Sequence, residues 1–104
     1  MDRTQALHPG VILMEEFLKP LDISAYRLSK VTDIPQTRIS QILKGKRRIT
    51  ADTALRLASF FDNSASFWLN LQNNYDIQRG RHSLKETLHK IRKNAPKFKS
   101  VNSK

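Results

Sequence analysis

Five of the six residues from 36 to 41 in the stretch "PQTRISQILKGKRRIT" (35–50) carry side chains that can read a base edge: Gln36, Thr37, Arg38, Ser40 and Gln41. A Gln amide can bond adenine bidentately, an Arg fork can bond guanine, and a Thr methyl can meet that of thymine. Directly after them, Lys44, Lys46, Arg47 and Arg48 flank Gly45. Cations so placed can hold phosphates, contacts that position a protein on DNA without specifying sequence. Each half of the pattern has a plain alternative. The polar residues would also suit a solvated helix face, and basic loops occur on proteins with no nucleic-acid role. Their succession is what points to nucleic acid.

Catalytic chemistry has little to stand on. His8 precedes a proline at a helix start and reads as a cap or surface group. His82 and His89 fall in a basic segment without acidic partners, and Glu15 and Glu16 lie on the exposed side of a helix. There is no Gly-rich phosphate loop, no His-x-x-x-His pair and no cysteine. No catalytic residue, metal site or cofactor is expected, and the chain does not read as an enzyme.

The elements that must position the polar residues are helices. Apolar residues recur at three- and four-residue spacing with no sustained alternation, so an all-α fold is expected. A first helix opens at Pro9, stacks Leu13/Phe17 and Met14/Leu18 at i,i+4, and should stop at Pro20. Ser24 caps a second, running through Leu28 and Val31 to about Thr32. In "TDIP", Asp33 is the residue that tolerates left-handed backbone. Pro35 then starts a third helix and Gly45 ends it, with Ile39, Ile42 and Leu43 as its inward stripe. Two short helices joined by about four residues, the second polar on one side, describe a helix-turn-helix. In that motif the second helix lies in the major groove. Thr50 should cap a fourth helix, with Asp52 in its first turn and Ala54, Leu55, Ala58 and Phe61 buried. Ser64 caps a fifth, "ASFWLNLQNNYDIQ". Beyond Gly80, Leu84, Leu88 and Ile91 permit a marginal sixth, and disorder is expected from Asn94 onward.

The chain of 104 residues has the size of one small domain with an appendage. No apolar run approaches the roughly 20 residues of a membrane span, and "MDRTQALHPG" lacks the layout of a signal peptide. A soluble, cytoplasmic protein without a membrane partner is expected. Its net charge of +10 is unevenly spread. Residues 79–104 hold nine Lys/Arg against Glu86 alone, a net +8, which leaves +2 for residues 1–78. This divides the chain into a helix-turn-helix and dimerisation domain (1–78) and a basic tail (79–104). Such a tail serves solubility or loose phosphate attraction more often than a specific contact.

Taken together, "LHPGVILMEEFLKPLDIS", "RISQILKGKRRITADTALRLASFF" and "SFWLNLQNNYDI" resemble the HigA family of antitoxins. The likeness runs roughly from Leu7 to Ile77, and "HPG" combined with "FWLNLQNNYD" makes it specific. It implies a lambda-repressor-like, XRE-type fold, here of five helices with a basic C-terminal extension. It also implies a dimer that binds double-stranded operator DNA, represses its own operon and neutralises a co-encoded toxin. In this family the toxin is typically a RelE-like mRNA endonuclease. By position, Gln36, Thr37, Arg38, Ser40 and Gln41 would read bases, while Lys44, Lys46 and Arg47 would contact the backbone. The chain departs from relatives at Asp33 (often glycine), Pro35 (a small Ser or Thr), Ser29 (alanine) and Ala25 (a phosphate-touching glutamine). These departures bear on the turn and on one phosphate contact, not on the fold.

Two further surfaces are expected. Phe67, Leu71 and Tyr75 share one face of the fifth helix at i, i+4, i+8. They could fill the core, as Trp68 is expected to, but a two-fold operator requires a two-fold protein. This face is therefore the expected homodimer interface. Glu15, Glu16 and Asp22 form an acidic edge suited to a toxin that is basic where it faces RNA, although the same acids would simply keep the helix soluble. Two other functions stay open: a stand-alone helix-turn-helix transcription regulator, and an RNA-binding or nucleic-acid-processing protein that works through its tail.

Overall fold

In the computed structural model, which describes residues 6–97, the first helix (α1) is one rod of three windings. It is α-helical over Pro9–Ile12, π-helical over Leu13–Leu18 and α-helical again over Lys19–Leu21. Pro20 does not stop it as the sequence predicts. Proline has no N–H to donate, and its ring crowds the carbonyl four residues earlier. The wider turn ahead of it, where the Lys19 N–H reaches back five residues to Met14 O, accommodates both demands. Leu13 and Leu18 are both buried, and Met14 and Phe17 pack partly buried against the same core. The helix ends at Asp22, left-handed at φ 56°.

α2 (Ala25–Thr32) starts at Ser24, whose Oγ accepts from the Arg27 N–H at 3.0 Å. α3 (Gln36–Leu43) starts behind Pro35. Between them Asp33 adopts φ 62°, the conformation expected of it. Two hydroxyls lock this turn: Ser29 Oγ donates to Ile34 O at 2.5 Å, and Thr32 Oγ1 accepts from the Ile34 N–H at 3.3 Å. Ile34 is thus buried with both backbone groups satisfied.

α4 (Ala51–Phe61) follows Thr50, which is extended as an N-cap should be but makes no side-chain cap bond. Its buried residues are Thr53, Ala54, Leu57 and Ala58. Leu55, predicted inward, is 60% exposed; the helical period puts Leu57, not Leu55, on the stripe of Ala54 and Ala58. α5 (Ala65–Ser83), capped by Ser64 Oγ on the Phe67 N–H at 3.0 Å, runs unbroken through Gly80. α6 (Lys85–Asn94) follows at once, making six helices rather than five among the described residues. None of its residues is buried. The disorder expected past Asn94 falls largely on residues 98–104, outside the described ones.

Trp68 joins α1, α4 and α5. Phe17, Phe61 and Phe67 surround its ring at centroid distances of 4.9, 5.9 and 5.0 Å. Its Nε1 donates to Asn63 Oδ1 at 2.9 Å. Truncating a ring so enclosed costs about 3–5 kcal/mol. Leu28, Ile39, Ile42 and Leu57 complete the core beneath the helix-turn-helix.

Candidate nucleic-acid interface

α3 is seated against α1 by a backbone contact. A Cβ on Gly10 would fall on the Ile42 carbonyl oxygen, so only glycine allows the two helices this close. His8 supports the contact from the side. Its Nδ1 accepts from the Gly10 N–H at 2.8 Å, and its ring lies edge-on to Tyr75 at 5.0 Å. At 8% exposure, His8 is a buried cap. Burial lowers its pKa from the ordinary value, outweighing a backbone hydrogen bond at Arg47 and the charge of Asp76, which pull the other way.

With α3 so seated, Ile39 and Ile42 face the core while Gln36, Thr37 and Gln41 are exposed and Ser40 is half-buried. Arg38 takes a different course. Its Nη1 donates to Asp52 Oδ2 at 2.9 Å and to Thr53 Oγ1 at 3.3 Å, both on α4, which leaves the side chain 29% exposed. Arg56 Nε reaches both Asp52 oxygens at 3.2 Å, and its Nη1 donates to Thr32 O at 2.9 Å. Hydrogen bonds from Arg38 first, then Arg56, hold the Asp52 carboxyl below the usual range.

The basic loop after α3 is tied down. Gly45 turns left-handed at φ 73°, and the Lys46 N–H returns to Gln41 O at 2.8 Å. Arg47 Nε donates to Gln41 Oε1 at 2.8 Å, coupling a candidate phosphate contact to a candidate reading residue. Arg48 pairs with Asp76 on α5. The buried Gln72 accepts the Ile49 N–H at 2.7 Å and donates to Asp76 Oδ1 at 3.0 Å. Burial acts to raise the Asp76 pKa, but the bonds from Arg48 and Gln72 carry it below the ordinary value. Lys44 and Lys46 make no ion pair among the described residues. All four cations are exposed beside the outward face of α3.

The other expected surfaces are placed as follows. Phe67 is 36% exposed and packs against Phe17 and Trp68, while Leu71 and Tyr75 are half-buried against their own chain. The exposed residues of that stretch of α5 include Asn70, Asn73 and Asn74. Glu15, Glu16 and Asp22 are exposed, with Glu15 paired to Lys19 at 2.9 Å. Among the described residues no cluster of His, Cys, Asp and Glu could hold a metal ion. No described helix is long and apolar enough to cross a membrane. Gly10, Asp52, Gln72 and Asp76 escaped the sequence reading of the site, because each acts on a residue distant in the chain. Only the first-turn position of Asp52 drew notice.

A helix-turn-helix family model matches residues 14–68. Virulence-associated protein I of Dichelobacter nodosus is 49% identical over 73 residues, covering 70% of this chain and 68% of that protein. Among solved structures, an addiction module antidote protein of the HigA family from Coxiella burnetii is 47% identical, with a TM-score of 0.76 over 90% of this chain and 99% of that one. The Pseudomonas aeruginosa antitoxin HigA, solved with the higBA promoter, is 36% identical, with a TM-score of 0.78 over 81% and 91% of the two chains.

Proposed function

Because this chain belongs to the helix-turn-helix family, in its HigA branch of DNA-binding proteins rather than enzymes, we propose that it binds a two-fold operator at its own promoter and represses its own operon. The observation that carries this reading is the exposed face of α3 lying against an ordered cationic loop. Gln36, Thr37, Arg38, Ser40 and Gln41 read the base edges, and Lys44, Lys46, Arg47 and Arg48 grip phosphates. Two copies pair along the edge of α5 that carries Phe67, Leu71 and Tyr75, matching protein symmetry to operator symmetry. Residues 1–78 do this work, and the basic segment 79–104 adds general phosphate attraction.

The same chain neutralises a co-encoded toxin, a RelE-like mRNA endonuclease, in the cytoplasm. Capture uses the acidic edge of α1 rather than the cations committed to DNA, and charge complementarity speeds the encounter.

Fluorescence anisotropy with duplexes from the upstream region tests the DNA-binding reading. Specific duplexes should bind about 10³-fold or more tighter than scrambled ones at physiological salt. Equal affinity for both would refute it. Co-purification with the product of the adjacent gene tests the toxin. A selective operator binder that captures no neighbour is a stand-alone regulator.

A further inference from the structure

Asp52 lies outside the reading helix, yet it holds that helix's single guanidinium. Asp52 Oδ2 accepts from Arg38 Nη1 at 2.9 Å, and both of its oxygens accept from Arg56 Nε at 3.2 Å. The buried Thr53 takes a second bond from the same Arg38 nitrogen at 3.3 Å. Arg56 is itself fastened to Thr32 O at 2.9 Å, so the carboxylate is braced against α2 as well as α4. Arg38 is thus held through one terminal nitrogen. A guanidinium offers five N–H donors in a rigid fork, and those on Nε and Nη2 have no partner among the described residues.

We propose that Asp52 is a positioning residue for base recognition, clamping Nη1 so that the remaining fork of Arg38 is aimed at one base edge, a guanine O6/N7 pair. The inference rests on the DNA-binding reading above. An unrestrained arginine samples many rotamers and can bind phosphate from most of them. A clamped one has already lost that freedom, so less is lost when the correct base is met. The carboxylate also offsets the charge of Arg38, which suppresses its use as a sequence-blind phosphate contact. An exposed ion pair by itself would hold the side chain weakly. The additional bonds to Thr53 and Arg56 give the clamp its geometry.

The test is Asp52→Asn in the full chain, with binding measured to duplexes substituted at each operator position. Preference should fall about fivefold or more at the single position that Arg38→Ala relaxes. Binding to unrelated duplexes should tighten, and the slope of log K against log salt should steepen by about one. The double variant should be no less selective than Arg38→Ala alone, because both changes remove one interaction. Asp52→Glu, which keeps the charge, should restore part of the preference. If Asp52→Asn does not fold, Thr53→Val removes only the second bond to Nη1 and reads the same position. Relaxation there supports the clamp. A lower melting temperature with an unchanged preference profile makes Asp52 merely structural and overturns the proposal. A wild-type chain that binds no duplex selectively defeats the DNA-binding reading and the clamp together. Selective wild-type binding with unaltered profiles in the Asp52 variants defeats the clamp alone.

Discussion

His8 places a titratable group where the fold needs a neutral one. Its Nδ1 must accept the Gly10 N–H, and its ring is buried beside Tyr75. The pKa of the folded state is therefore below that of the unfolded chain, which lies near 6.5. As pH drops through about 6.5 the unfolded state takes up the proton first, so stability falls toward acid, and above that pH the contribution is complete. Thermal denaturation between about pH 5 and 7.5 should show this decline, and His8→Asn, which keeps a capping acceptor, should flatten it. An identical slope in the variant would show that His8 is not its source. Gly10 is constrained by sterics rather than charge. Gly10→Ala drives a Cβ onto Ile42 O and should cost about 1–3 kcal/mol as an overpacked contact. The urea midpoint measures it, with an unchanged slope marking a pure stability effect.

The loop between α3 and α4 behaves as part of the reading helix. Gln72 and Asp76 fasten its far end to α5, while Arg47 bonds back to Gln41. Two neighbouring cations should therefore respond differently to removal. Lys46→Ala should weaken binding to all duplexes alike and lower the salt slope by about one unit. Arg47→Ala should do the same and also release Gln41, altering base preference at one further position. Titrations at several salt concentrations against operator variants separate the two. If Lys46→Ala changes the preference, or if Arg47→Ala leaves it intact, the coupling through Gln41 does not operate on DNA.

The molecule is longer than its core requires. Its extents are 53 × 28 × 24 Å and its radius of gyration is 17.4 Å, against about 13 Å for a compact chain of 100 residues. The continuous α5 and the unburied α6 produce that length. Pairing of two copies is tested at Phe67, the most exposed residue of the proposed face. Phe67→Glu should give a folded monomer by analytical ultracentrifugation and lose operator affinity, because linked half-sites bind together. A persistent dimer would move the interface elsewhere, with the exposed Ile77, Leu84 and Ile91 as the next surface to substitute. Separation of the two proposed activities is tested by Glu15→Lys with Glu16→Lys. Operator binding should persist while toxin capture slows, most at low salt where charge steering is least screened. Lost operator binding with intact capture would reverse the assignment.

Local rules reach about four residues along the chain, and features that depend on them were legible. Ser24 and Ser64 cap their helices, Asp33 and Gly45 turn left-handed, and Ile39 and Ile42 face inward. The adjacency of the polar residues 36–41 and the cations 44–48 needed nothing more than reading order. Where a choice depended on the packing around it, the sequence alone misled. Pro20 is absorbed by a π turn, α5 continues past Gly80, and Leu55 lies outside while Leu57 takes its expected place. The meaning of "HPG" emerged only once α1 met α3, since it is the Ile42 carbonyl that forbids a side chain at Gly10. Likewise the sequence presents Arg38 as one of five base-reading residues on an outward helix face. Tertiary structure alone sets it 2.9 Å from a carboxylate 14 residues away. The reason is physical: capping and turn preferences are settled within one helical turn, whereas a side chain's partner is settled by which distant element packing brings within reach.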